Sequence, residues 1–399
     1  MSKARSALAV ALALLLALPA AAQDLDALNA QAIAAYGAGD VETALSLTED
    51  AVAAPPDVAE ANPTAYLLAL NNLTFLVMGQ ADAPRADDLS ARAVAFGEGR
   101  EIDDPGVLGT AFLQRAQVLA RSDAGPAPEM LRRMMQVTRD TPAHGFAASA
   151  AGDLAFDLER YVEMLGYFRE MVAVTGVWTS AHGIDAFYDR QLALESEGDI
   201  AAVAALIDTR ILLVETAQPQ LAEDFAHSAL WTKFYMHYEA ENFGEAADAL
   251  TLWAGVGTMT GDERESLTEI AANILERTRR GEHSERSAVQ LGYAELAVAL
   301  ARIVNPANDP RIGVALRERA DAESRLGLYA RAAATLQEAL AYPEGGRAAM
   351  GERTLLLEDL ANNAWQIGAY DQSRALYEQA EASYNADLAA GMAPFAPFD

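Results

Sequence analysis

Residues 311–343 read RIGVALRERADAESRLGLYARAAATLQEALAYP. Leu316, Ala320 and Glu323 recur at helical spacing. Gly327-Leu328-Tyr329 interrupts the helix, and Ala332, Leu336 and Ala339 resume it before Pro343 closes the unit. Small and apolar residues three and four apart give each helix one face to bury. A short glycine turn between two such helices makes them antiparallel, and the alanines let their axes approach closely.

The unit recurs along the chain. Gly39-Asp40-Val41 is followed by Ala44 and Ala51, and Gly368-Ala369-Tyr370 by Ser373, Tyr377 and Ala380. Ala81-Asp82-Ala83, Glu159-Arg160-Tyr161, Gly198-Asp199-Ile200 and Glu241-Asn242-Phe243 are fainter turns of the same kind, and weaker ones fall near Asp123 and Gly281. The anchors at 39, 81, 123, 159, 198, 241, 281, 327 and 368 lie 36 to 46 residues apart. A fixed period of this size marks a repeat array, in which each unit needs its neighbours to bury its apolar face.

The glycine turn, the aromatic or aliphatic residue two places later and the small residue three beyond that resemble the tetratricopeptide repeat (TPR). The shortest repeats of that family span about 34 residues, so the longer period here resembles the kinesin-light-chain type, as does Leu68-Ala69-Leu70-Asn71-Asn72-Leu73. Such long repeats also precede caspase-like CHAT domains in bacteria. That domain needs a cysteine and this chain has none, so only the repeat part carries over. The resemblance covers residues 25–385. It implies an all-α fold, an α-solenoid of eight or nine helical hairpins wound into a right-handed superhelix. The first helix of each hairpin would line a concave groove. The positions projected onto that groove are Asn29, Tyr36, Asn71, Phe75, Tyr188, Trp231, Tyr235, Tyr238, Arg317, Arg325, Asn362 and Trp365.

Residues 1–22 read as a secretory signal peptide. Lys3 and Arg5 precede an apolar run from Ala7 to Leu18, Pro19 breaks it, and Ala20-Ala21-Ala22 offers a cleavage site before Gln23. The run is too short to span a bilayer, and no later stretch reads as a membrane span. The expected organisation is therefore a signal peptide (1–22), the repeat array (23–385) and an extended tail (386–399) in a periplasmic or secreted protein. The tail contains Ala393-Pro394-Phe395 and Ala396-Pro397-Phe398, a composition suited to an extended left-handed helix. It is expected to cap the last hairpin.

Without Lys3 and Arg5, 27 basic residues face 58 acidic ones, a net charge of −31. Such a surface repels phosphate backbones and anionic headgroups, which argues against nucleic-acid partners. It serves solubility, or it draws basic partners or divalent cations. The absence of cysteine excludes disulfides and thiolate metal sites.

The residues carry no catalytic or metal constellation. Gly255, Gly257 and Gly261 have neither a preceding strand nor a following Lys-Ser/Thr, so they form no phosphate loop. No two of His144, His182, His227, His237 and His283 have the spacing of a zinc-binding helix. No cofactor is expected.

The densest aromatic segment runs from 222 to 253, and within it Trp231, Tyr235 and Tyr238 share a helix face. These rings either pack between helices or receive a peptide or ligand, since aromatics dominate binding hot spots. Arg317 and Arg325 either pair with local acids or grip a partner's carboxylate. The function expected is a scaffold or adaptor that binds a protein or peptide and performs no reaction. The alternatives are a periplasmic solute-binding helical protein, favoured by a closed apolar pocket at the aromatic cluster, and a cell-wall-acting enzyme, which needs a buried acid with a raised pKa.

Overall fold

The computed structural model describes residues 25–122, 125–279, 287–342 and 351–389. Its organising feature is the turn. Seven expected anchors fall on described residues, and each is left-handed: Gly39 (φ 85°), Ala81 (61°), Glu159 (59°), Gly198 (78°), Glu241 (59°), Gly327 (76°) and Gly368 (79°). The anchors near 123 and 281 lie outside the described residues.

A left-handed residue lets the chain turn back to satisfy the last carbonyls of the preceding helix. The amides of Asp40, Arg160, Asn242, Leu328 and Ala369 each donate to the carbonyl five residues earlier, on Ala35, Ala155, His237, Glu323 and Ala364. The next helix then starts at once. Asp40, Asp82 and Asp199 accept from the amides of Thr43 (3.0 Å), Arg85 (3.3 Å) and Ala202 (3.0 Å). Such caps contribute about 1 kcal/mol each.

Among the described residues, nineteen α-helices follow from this punctuation and no strand occurs. A first compact unit ends at Pro219. It holds α1 (Leu25–Gly37), α2 (Val41–Val52), the short α3 (Pro56–Ala61), α4 (Pro63–Gly79), α5 (Ala83–Glu98), α6 (Pro105–Ser122), α7 (Ala127–Thr138), α8 (His144–Asp157), α9 (Tyr161–Thr175), α10 (Ile184–Glu197) and α11 (Ile200–Ala217). The second unit begins at Gln220. It holds α12 (Ala222–Glu239), α13 (Phe243–Ala254), α14 (Gly261–Arg279), α15 (Ser287–Val304), α16 (Pro310–Arg325), α17 (Tyr329–Ala339), α18 (Glu352–Gln366) and α19 (Tyr370–Ala389).

Apart from α3, the helices pair in sequence into nine hairpins, five in the first unit and four in the second. Within each unit a hairpin packs on its sequence neighbours: α2 on α4, α5 on α6, α7 on α8 and α9 on α11 in the first, α13 on α15, α15 on α16 and α17 on α18 in the second. This nearest-neighbour pattern is that of a solenoid. Ile211–Val214, whose β-branched residues weaken a helical reading, is helical inside α11.

The buried faces follow the expected phase. Ala44, Ala51, Ala86, Ala93, Met164, Phe168, Met171, Ala246, Leu250, Ala332, Leu336 and Ala339 are buried, as are Leu316 and Ala320. In α19 the phase differs. Ser373 and Ala380 are buried, but Leu376 faces inward in place of Tyr377, which is exposed. The last helix, α19, runs to Ala389 and so takes in residues 386–389, which were expected to begin the tail. The Ala-Pro-Phe repeat lies outside the described residues.

Glu323 is fully buried. Its carboxylate accepts from Arg319 Nε (3.0 Å) and Thr335 Oγ1 (2.8 Å), and Arg331 Nε stands 2.7 Å away. Two guanidinium groups thus hold a charge that would be costly to bury alone.

Several of the bonds that join neighbouring hairpins step 36 residues along the chain. Asn29 Nδ2 donates to the Ala65 carbonyl (2.9 Å), and Asn71 Nδ2 donates to the Val107 carbonyl (2.8 Å), each 36 residues on. The ion pairs Glu49–Arg85, Glu295–Arg331 and Arg302–Glu338 make the same step.

Candidate functional site

The candidate site lies on α12 in the second unit. Ala226, Leu230, Phe234 and His237 form the buried stripe of this helix. Trp231, Tyr235 and Tyr238 stand beside that stripe and are half-buried. Their spacing puts them on one face, as expected.

Fully buried rings support them. Trp231 lies 4.9 Å from Trp253 and 5.7 Å from Phe234, measured between ring centroids, and meets Tyr235 edge-on at 5.1 Å. Tyr235 and Tyr238 lie 5.1 and 5.9 Å from Phe234. Tyr238 continues to Phe243 at 6.1 Å, and Phe243 stacks on Tyr293 at 3.8 Å. The His227 ring lies 4.8 Å from that of Trp253. The segment therefore divides between the two uses open to it. Phe234, Phe243 and Trp253 are core, and Trp231, Tyr235 and Tyr238 present ring surface. Burial pushes the Tyr235 phenol up, with Tyr238 and Glu239 adding to the shift, so at neutral pH it stays a neutral hydroxyl. A rigid, amphipathic ring face of this kind offers large contact area at low entropy cost.

The other expected positions are spread over several hairpins. In the first unit Tyr188 is 43% exposed, with Leu192 exposed one turn on. The Arg210 guanidinium sits 4.5 Å over the Tyr188 ring and donates to Gln191 Oε1 at 2.6 Å. Burial lowers the pKa of Arg210.

Asn71 is a correction. It is buried, and its amide N–H is spent on the Val107 carbonyl; Asn29 is buried in the same way on Ala65. Both join hairpins and do not face a groove. Arg317 donates from Nε to Asp359 at 3.4 Å, and Arg325 pairs with Asp321 at 2.6 Å, so both follow the local-acid alternative. Burial raises the Asp359 carboxyl, while Arg317 draws it back down.

Asn362 and Trp365 lie together at the end of the second unit. Trp365 is 58% exposed and meets Tyr370 edge-on at 4.7 Å, and Asn362 accepts from the Tyr377 hydroxyl at 2.6 Å. Tyr370, Tyr377 and Tyr384 were not among the expected site residues, although their seven-residue spacing is visible in the sequence.

The described histidines are engaged in packing or polar contacts. His144 Nε2 lies 2.8 Å from Glu170, and the His182 ring lies 4.3 Å from that of Phe156. Among the described residues no three or more His, Asp or Glu side chains converge on a metal position. A cavity of about 320 Å³ is lined by Pro128, Arg132, Glu163, Gly166, Tyr167 and Glu170 on α7 and α9, not by the aromatic face.

No protein-family model matches the chain, and no curated protein matches it. Solved structures do. The crystal structure of the P58(IPK) TPR domain is similar over 90% of this chain and 98% of that one, at 11% identity and a TM-score of 0.25. The APC/C hetero-tetramer Cut9-Hcn1 is similar over 95% of this chain and 75% of that one, at 13% identity and a TM-score of 0.29.

Proposed function

We propose that the protein is an exported, non-enzymatic scaffold that holds a protein or peptide segment against the first helices of its hairpins. Trp231, Tyr235 and Tyr238 are the apolar anchors. The observation that carries this reading is a half-exposed ring face whose support, Phe234 and Trp253, is fully buried. Rings held rigidly from behind lose little entropy on binding, which suits a hot spot. The acidic surface favours a partner that places basic residues around an apolar centre. The reading also draws on the resemblance of the turns to the tetratricopeptide repeat.

Export is part of the proposal and rests on residues 1–22, which lie outside the described residues. N-terminal sequencing of the secreted or periplasmic chain should begin at Gln23.

The scaffold reading is tested by capture from periplasmic extract on the immobilised mature protein, with mass spectrometry of the bound proteins. Trp231→Ala combined with Tyr235→Ala should lose the partners that the wild type retains, at unchanged helicity by circular dichroism. The same partners captured by both would discard this site.

A further inference from the structure

The ring face of α12 carries charge as well as aromatic surface. At about 100° of helix turn per residue, counted from Trp231, Tyr235 falls at about 40°, Tyr238 at about −20° and Asp224 at about 20°. Ser228 falls at about 60° and Glu239 at about 80°, while Lys233 falls at about 200°, on the other side of the helix. One sector of α12 therefore holds a carboxylate, a small hydroxyl, three rings and a second carboxylate, in order along the axis. Asp224, Ser228 and Glu239 are exposed, and the three rings are half-buried. Neither carboxylate pairs with a cation among the described residues, and the Trp231 Nε1 and the Tyr235 and Tyr238 hydroxyls make no hydrogen bond to a described residue.

All three ring tips can donate. An indole N–H only donates, and a phenol O–H donates or accepts. A row of donors beside aromatic faces suits a backbone that offers carbonyls and few amides. A polyproline II segment is such a backbone, because it has no internal hydrogen bonds and its prolines have no N–H. It is also ordered before it binds, which suits rings held rigidly from behind. An α-helix has spent its carbonyls internally and would leave the tips unpaired. We propose that the α12 stripe binds a proline-rich, polyproline II segment flanked by basic residues. The proposal rests on the scaffold reading of the same rings and names the class of segment they take.

The dimensions agree. Trp231 and Tyr238 lie about 10.5 Å apart along the helix axis, close to one polyproline II turn of about 9.3 Å. Asp224 stands about 10.5 Å before Trp231, a further turn away. From Asp224 to Glu239 is about 22.5 Å, and seven residue steps of polyproline II cover about 22 Å. Guanidinium groups on the first and eighth residues of such a segment each meet one carboxylate, while prolines at the fourth and seventh lie on Trp231 and Tyr238. The excess of acidic residues in the chain steers a basic segment towards it.

The probe is the fluorescent peptide RPLPPLPR, read by anisotropy on the mature protein at low salt. It should bind, and EPLPPLPE should bind at least tenfold more weakly, because both ion pairs become like-charge contacts. Asp224→Asn should weaken RPLPPLPR about threefold and leave QPLPPLPR, which lacks the first guanidinium, unchanged. Tyr238→Phe keeps the ring and removes the donor, and should weaken RPLPPLPR about fivefold. Both substitutions change accessible side-chain tips, so helicity by circular dichroism should stay the same. The proposal is overturned if RPLPPLPR does not bind, if EPLPPLPE binds as well, or if Asp224→Asn and Tyr238→Phe leave its affinity unchanged. A basic amphipathic helical peptide that binds more tightly than RPLPPLPR would assign the stripe to a helix and equally overturn it. The two readings fail separately. If Trp231→Ala with Tyr235→Ala loses the captured partners while the wild type ignores RPLPPLPR, the scaffold stands and the polyproline segment falls.

Discussion

Three of the turns do with ordinary residues what the others do with glycine, and that difference is measurable. Ala81, Glu159 and Glu241 adopt φ near 60°, where Gly39, Gly198, Gly327 and Gly368 perform the same role. An L-residue in this conformation costs about 1–2 kcal/mol. Replacing it with glycine removes that cost but adds unfolded-state entropy of about 0.4–1 kcal/mol. The net expectation is a gain of about 0.5–1 kcal/mol for Ala81→Gly or Glu241→Gly. Glu159→Gly should gain less, because Glu159 also pairs with Arg190 at 2.7 Å, an exposed bridge worth a few tenths of a kcal/mol. The turns belong to separate hairpins, so the effects should add. Ala81→Gly with Glu241→Gly should raise the urea midpoint by an amount corresponding to about 1–2 kcal/mol. Repeat arrays can unfold in stages, so amide exchange at each turn should accompany the denaturant curve and show slower opening at the substituted turn. The converse variant, Gly327→Ala, should lose about 1 kcal/mol. If Ala81→Gly destabilised the protein as glycine does inside a helix, or if Gly327→Ala were stabilising, the left-handed turn would not be what closes the hairpin.

Glu323→Ala should be among the most damaging substitutions. It removes the buried acceptor shared by the partly exposed Arg319 and Arg331 and leaves the Thr335 hydroxyl without its bond, at a cost of about 1–3 kcal/mol by chemical denaturation. Gly152→Ala should also destabilise the first unit, by about 1–3 kcal/mol. A Cβ at this position would stand 2.3 Å from the fully buried Phe168 ring. Asp153 gives a pH-dependent prediction. Burial raises its carboxyl above the usual range, against the bonds it accepts from Ser180 and the Ala181 amide. A raised folded pKa means that the stability this group contributes is present below its unfolded pKa and is lost as pH rises through the folded value. Asp153→Asn keeps an acceptor for Ser180, so its urea midpoint should exceed the wild type's at pH 7 and match it at pH 3.

The hairpins were legible because their punctuation is chemical. Glycine at 39, 198, 327 and 368 marks a left-handed residue, which ends one helix and lets the next start within two or three residues. Once those turns set the period, even Glu159 and Glu241 could be located without glycine. Side-chain direction was less legible, because one position along a helix rotates a residue by about 100°. This is why Leu376, and not Tyr377, enters the core. Asn71 illustrates a different limit. A polar residue recurring once per repeat looks the same whether it faces a partner or binds the next hairpin, and the distinction lies in a carbonyl 36 residues away. The pairings of Arg317 with Asp359 on the next hairpin, and of Trp231 with Trp253 across its own hairpin, likewise depend on how helices pack.

The buried amides of Asn29 and Asn71 grip main-chain oxygens of the following hairpin, those of Ala65 and Val107. A peptide carbonyl is supplied by every amino acid alike. At these two joints, registration of one hairpin on the next therefore places no demand on the identity of the residue that is gripped. Where a joint is made this way, neighbouring copies of the motif can differ in their letters and keep their seating, as the hairpins of the described residues do while sharing little more than a bend and a few small residues.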